Sequence, residues 1–147
     1  MGKAYTIKVE RTMGKVMTEI TLSNVKDEGL CKAGVRDEVR QLTVDAVVDT
    51  GASTLIINEE LQRRLGLEIV GTRRITLADG GKKECGLTEA VTVRWKNRLC
   101  ACGAVVIPGL QSVLLGAIPL EDMDLVVNPL MQELVGAHGD VVEALAL

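Results

Sequence analysis

The feature that most constrains this chain is an alternating strand pattern that ends in a carboxylate. Across residues 40–49, Leu42, Val44, Ala46 and Val48 fall on one face, and the run stops at Asp49-Thr50-Gly51. Side chains two apart share a face only in an extended chain, so this period specifies a β-strand. Residues 15–24 repeat the pattern, with Val16, Thr18, Ile20 and Leu22 set against Met17, Glu19, Thr21 and Ser23. Further strands are expected at 4–10, 69–78, 84–95 and 98–107, the last stopped by Pro108-Gly109. Asp79-Gly80-Gly81 has the turn chemistry of a hairpin tip.

Helical signals are few. Asn58 is a good N-cap for a helix over 58–67, with Glu59 and Glu60 at its positive end, Arg63 and Arg64 near its negative end, and Gly66 closing it. A second short helix is expected near 118–124, after Val113-Leu114-Leu115-Gly116. Residues 25–39 are charged and contain glycine, which predicts a long loop. The tail from Pro129 fits strand or helix equally. With no Phe, one Tyr (Tyr5) and one Trp (Trp95), the core must be filled by aliphatic side chains and Met, which suits strands. Trp95 is expected on a half-exposed hairpin face. The sum is a mostly-β chain with one or two short helices, in a sandwich or partly closed barrel; βαβ alternation is missing.

At 147 residues the chain is expected to be one domain spanning 1–147. A net charge of −3 with well-mixed signs leaves no basic footprint for nucleic acid. No apolar run approaches a bilayer span, and no signal-peptide core stands at the N-terminus, so a soluble cytoplasmic protein without membrane contact is expected. Gly2 and Thr6 fit the loose myristoylation pattern, which few-residue matches often meet by chance. Cys31, Cys85, Cys100 and Cys102 lack zinc-site spacing and are expected as buried free thiols, Cys100 and Cys102 on one strand face. Metal and cofactor are not expected. Glu121, Asp122 and Asp124 match no calcium loop, Asp45 shares a strand face with Asp49, and all are expected as solvated charges. His138 is given no catalytic role.

The chemistry concentrates in Val47-Val48-Asp49-Thr50-Gly51-Ala52-Ser53. A carboxylate at the end of an apolar strand is poorly solvated. Glycine two residues on lets backbone N–H groups approach it, and the threonine hydroxyl can anchor the turn. The bare tripeptide also occurs as an ordinary turn closing a strand. Two preceding apolar residues and the following Ala-Ser lower chance occurrence to roughly one chain in ten thousand.

This segment resembles the active-site loop of retropepsin-like aspartic proteases. Residues 76–84 stand where that family has its substrate flap, and Leu114-Leu115-Gly116 resembles its second motif, two apolar residues and glycine before a short helix. The helix at 58–67 is similar to one in small prokaryotic members. The resemblance covers about 15–128, leaving 129–147 as a tail, and implies an acid-protease barrel. It further implies that Asp49, Thr50 and Gly51 form the catalytic loop, with Ala52, Ser53, Ala78, Asp79, Gly80 and Gly81 binding substrate.

Only one Asp-Thr-Gly is present, and no Asp-Ser-Gly. Aspartic protease chemistry needs two carboxylates sharing a proton across one water, one accepting the water's proton and one protonating the carbonyl or amine. A protease built from this chain is therefore a homodimer, its two-fold axis through the dyad. The tail either contributes to that dimer or covers another surface. Retroviral members usually have Asp at the place of Ser53 and Arg at the place of Ala117, an ion pair absent here as a pair. Ala52 replaces a hydroxyl that often stabilises the ionised carboxylate in pepsin-like lobes, which implies activity at mildly acidic to neutral pH. The expected function is an aspartic endopeptidase acting on extended peptide; the alternative is a dimeric peptide-binding or assembly module with little hydrolysis.

Overall fold

Alternating aliphatic residues build the body of the molecule. The computed structural model describes residues 15–144 and 146. The strand expected at 4–10 and the Gly2–Thr6 pattern lie outside them. Eleven strands are present among the described residues: β1 (Val16–Asn24), β2 (Gln41–Val48), β3 (Leu55–Ile57), β4 (Ile69–Thr76), β5 (Lys82–Thr88), β6 (Val91–Trp95), β7 (Arg98–Cys102), β8 (Ala104–Val106), β9 (Val113–Leu115), β10 (Leu125–Asn128) and β11 (Glu133–Gly136). The helices are α1 (Val25–Lys32), α2 (Glu59–Arg64) and α3 (Ala117–Asp122). None of them is long and apolar enough to cross a membrane.

The chain is mostly β, as expected. Nine strands form one sheet in the order β4-β5-β8-β3-β9-β2-β1-β6-β7, and β10 pairs with β11 alone. The sheet is not closed into a barrel, because its outer strands β4 and β7 do not pair with each other. The ambiguous tail begins as the β10–β11 hairpin. Two expected strands are divided: 84–95 at Glu89-Ala90, and 98–107 at Gly103, where the chain passes from β7 on one edge to β8 in the interior.

The interior strands are buried on both faces. Ala46, Leu55, Ile57, Ala104, Val106, Val113 and Leu115 point into a large core, which α2, α3 and β11 close with Leu65, Leu120, Met123 and Leu134. Their neighbours Val47, Ile56, Val105 and Leu114 point the other way into a smaller core with Cys85, Ile107 and Leu110. Both-sided burial explains why β3, β8 and β9 are uninterrupted apolar runs.

The expected loop over 25–39 begins as α1. Asn24 caps it, its side-chain oxygen accepting from the Asp27 N–H at 3.0 Å, while its amide donates to the Leu65 carbonyl at 2.9 Å. The Asp27 carboxylate is fully buried and accepts a forked pair from Arg40, Nε at 2.8 Å and Nη2 at 2.9 Å, and the Arg40 N–H at 3.0 Å. The hydrogen bonds from Arg40 hold this carboxylate well below its ordinary titration range, against the opposing effect of burial. Charge and glycine content concealed this helix, although the cap and the acidic first turn were present in the sequence.

Trp95 is also more buried than expected. Its indole N–H donates to the Thr18 hydroxyl at 2.8 Å, and Lys96 stacks over the ring. Cys85 and Cys100 are buried free thiols, whereas Cys31 and Cys102 are partly exposed.

Candidate active site

The Asp49 loop owes its position to one crossing. β2 and β9 run parallel, with Val48 beside Leu115, while β3 runs antiparallel on the far side of β9, with Leu55 opposite Leu115. The connection from β2 to β3 must therefore pass over the C-terminal end of β9. There the Asp49 N–H donates to the Leu115 carbonyl at 3.0 Å, extending the parallel pairing one residue. The loop then doubles back, the Ala52 N–H donating to the Asp49 carbonyl at 3.0 Å.

Gly51 serves this turn by close approach. Its N–H donates to Asp49 Oδ1 at 3.0 Å, and a Cβ at this position would stand 3.2 Å from the same oxygen. Any larger residue would crowd the carboxylate. Gly116 does the same for the crossing: a Cβ there would strike the Thr54 carbonyl and lie 2.7 Å from the Ala52 carbonyl. Beyond it the Ala117 N–H donates to the Ala52 carbonyl at 2.8 Å, and the Ile118 N–H to the Ser53 carbonyl at 2.9 Å. The Ser53 and Ala117 segments, which lack the retroviral ion pair, are thus tied by backbone. These two hydrogen bonds require Gly116 to remain without a side chain.

A cleft of about 360 Å³ opens beside the loop. Asp49, Gly51, Ala52 and Ser53 form one wall. Ile56, Ile107 and Leu114, from the smaller core, form an aliphatic floor. The β4–β5 hairpin also lines it, at Arg74, Ile75, Thr76, Leu77 and Ala78. Its tip is fastened internally: the Leu77 N–H donates to the Gly81 carbonyl at 2.7 Å, and the Gly81 N–H to Asp79 Oδ1 at 2.8 Å.

The fold therefore brings Asp49, Gly51, Ala52, Ser53 and Ala78 together around one cleft. Thr50 is exposed at the tip of the loop, outside the cleft lining. Asp79, Gly80 and Gly81 form the hairpin tip, also outside it, with the Asp79 carboxylate folded onto its own turn. The floor residues and Arg74 were not singled out from sequence. Ile56 and Leu114 look there like ordinary strand residues, and only the sheet decides that they, not Leu55 and Leu115, face the cleft.

Two charged residues away from the cleft have structural roles, which for Asp124 corrects the expectation of a solvated charge. Asp124 is not simply solvated, since its carboxylate accepts from the Glu143 N–H at 3.1 Å and lies 2.7 Å from His138 Nδ1. Arg98 is buried and donates to the carbonyls of Met123, Asp124 and Gly139. Together they fasten the tail to α3 and the β10–β11 hairpin. Among the described residues, no group of three or more His, Cys, Asp or Glu is placed to hold a metal ion.

Comparison with known proteins adds one result. A family model described as aspartyl protease matches residues 35–135, a span that includes the Asp49 loop, the β4–β5 hairpin and the Gly116 crossing. No curated protein matches the chain.

Proposed function

We propose, from the premise that this chain belongs to the aspartyl protease family of the retropepsin-like clan, that it is an endopeptidase active as a homodimer in which each protomer contributes Asp49. The observation that carries this reading is the placement of Asp49 on the wall of a cleft roofed by a hairpin and floored by aliphatic side chains. An extended peptide fits such a cleft as an added strand, with main-chain hydrogen bonds for affinity and side chains alternating between floor and roof. Water between the two Asp49 carboxylates attacks the scissile carbonyl. One carboxylate takes the proton from that water while the other protonates the carbonyl oxygen, and then the leaving amine.

Residues next to Asp49 have supporting roles in this reading. Thr50, exposed in the single chain, meets its counterpart across the two-fold axis. The Gly51 carbonyl receives the substrate backbone. Ala78, Asp79, Gly80 and Gly81 close over the peptide as the flap. Ala52 has no hydroxyl to donate, and its backbone N–H is already spent on the Asp49 carbonyl, so mildly acidic to neutral activity is expected. An optimum below about pH 3 would contradict that expectation.

Sedimentation together with a peptide-library cleavage assay tests the proposal. A dimer that cleaves, and an Asp49→Asn dimer that does not, support it. Cleavage surviving Asp49→Asn, or a stable monomer at micromolar concentration, overturns it. A dimer that binds peptides without cutting them identifies a binding module instead.

A further inference from the structure

Outside the cleft, β7 carries two thiols on one face. Cys100 and Cys102 are both free and both pack against the large core, while Leu99 and Ala101 point outward. The register agrees, with Cys100 opposite Val93 and Cys102 opposite Val91, two other residues of that core. The thiols are in contact. Cys100 hydrogen-bonds the Cys102 sulfur, which lowers the titration of Cys102 and raises that of Cys100. Cys100 also lies 4.0 Å from the Pro119 carbonyl of α3. Cys102, at the end of an outer strand of the sheet, is partly exposed, so solvent reaches the pair from that side. Neither cysteine lines the cleft.

We propose that Cys100 and Cys102 form a two-coordinate site for a soft monovalent ion, Cu(I). Their spacing makes the pair a poor disulfide. Two strand rises separate the Cα atoms by roughly 6.7 Å, near the upper limit for that bond. Both Cβ atoms leave the strand on the same side, so they stand about as far apart, well beyond the ~3.8 Å that a disulfide needs. An ion between the sulfurs lifts that constraint, because two metal–thiolate bonds of about 2.3 Å let it span about 4.6 Å. Thiolates select Cu(I) by their softness, and two of them satisfy it. Tetrahedral zinc needs more. Among the described residues, no third His, Cys, Asp or Glu joins the pair in a group that could hold a metal. Binding balances as two thiols and one Cu(I) giving a bis-thiolate complex of charge −1, with both protons passing to solvent. The site is separate from the cleft, so the inference does not depend on proteolysis.

In the test, the reduced full chain is titrated with Cu(I) without oxygen, in competition with bicinchoninate, whose Cu(I) complex is coloured. The wild type is expected to hold one Cu(I), with two sulfur neighbours in its X-ray absorption spectrum. Cys102→Ser and Cys100→Ser are each expected to weaken binding at least about a hundredfold. Cys31→Ser, on α1, is expected to bind as the wild type does. Because Cys102 is partly exposed, Cys102→Ser is expected to fold, and a metal-free thermal midpoint close to the wild type's verifies it. If Cys100→Ser, in the core, does not fold, Cys102→Ser decides alone. Wild-type binding no tighter than that of Cys102→Ser overturns the site, and so does loss of binding in Cys31→Ser. Incubation with oxidised glutathione tests the spacing separately. No Cys100–Cys102 disulfide is expected in the peptide masses, and its formation makes the two a redox pair and overturns the ion site.

Discussion

The same strands present two different faces, and the difference between them separates stability from function in this molecule. On one face Leu55, Leu115 and Ala104 are fully buried in a large core closed by helices and a hairpin. On the other, Ile56, Leu114 and Val105 form a smaller core that is only partly covered, and what remains open is the cleft beside Asp49. One residue of register decides whether a side chain holds the sheet together or faces the cleft. The large core is anchored by the Asp27–Arg40 pair and by Arg98, whereas the cleft carries Asp49, whose carboxylate accepts from the Gly51 N–H.

That contrast can be broken most sharply at Asp49. Asp49→Asn is expected to lower kcat/KM at least about a thousandfold while leaving the thermal midpoint nearly unchanged, as measured by peptide cleavage and calorimetry. A matched loss of stability would instead make Asp49 a structural residue. Next comes the neighbouring pair Leu115 and Leu114. Leu115→Ala, in the closed core, is expected to cost about 4 kcal/mol in denaturant unfolding. Leu114→Ala is expected to cost about 2 kcal/mol, because its cavity opens toward the cleft, and to raise KM for peptides with large aliphatic residues. Equal costs would remove the distinction between the faces.

Asp27→Asn tests the anchor and is expected to cost about 3 kcal/mol, since it leaves the Arg40 fork without its carboxylate. Native pairing lowers the titration of Asp27 below its ordinary 3.8. Its contribution is therefore present above that pH and lost as pH falls through the folded value, so the stability gap between wild type and variant should narrow on acidification. The smallest effect is expected at the tail. The hydrogen bond to Asp124 raises the titration of His138 above its ordinary 6.5, and the same contact lowers Asp124 below 3.8. The His138 contribution is present below 6.5 and lost as pH rises through its folded value; the Asp124 contribution is present above 3.8 and lost on acidification. The latch is strongest between the two, and His138→Ala should flatten the alkaline side of a plot of tail protection from hydrogen exchange against pH.

Much of the candidate site was legible from local pattern. Asp49-Thr50-Gly51, the hairpin about Asp79-Gly80-Gly81, the Asn58 cap and the apolar Leu114-Leu115-Gly116 segment all depend on residues close in sequence. Helix α1 was missed because glycine and charge in 25–39 outweighed a cap whose buried partners, Leu65 and Arg40, come from elsewhere in the chain. Trp95 was placed on a half-exposed face because its polar neighbours are sequential, whereas its burial partner Thr18 is not. The expected barrel was left open because strand closure depends on which edges meet, and no local signal records that.

The strand-rich body and the Asp-Thr-Gly turn were already written in the sequence, and the single copy of that turn is what the proposal of a dyad from two chains rests on. These follow from side-chain period, turn chemistry and proton counting, all of which act over a few residues. Tertiary structure alone decided that β9 lies between β2 and β3. That placement sends the Asp49 loop across Gly116 and turns Leu114 rather than Leu115 toward the cleft. The physical reason is that sheet order is set by how two cores can be closed at once, a condition on the whole chain and not on any segment of it.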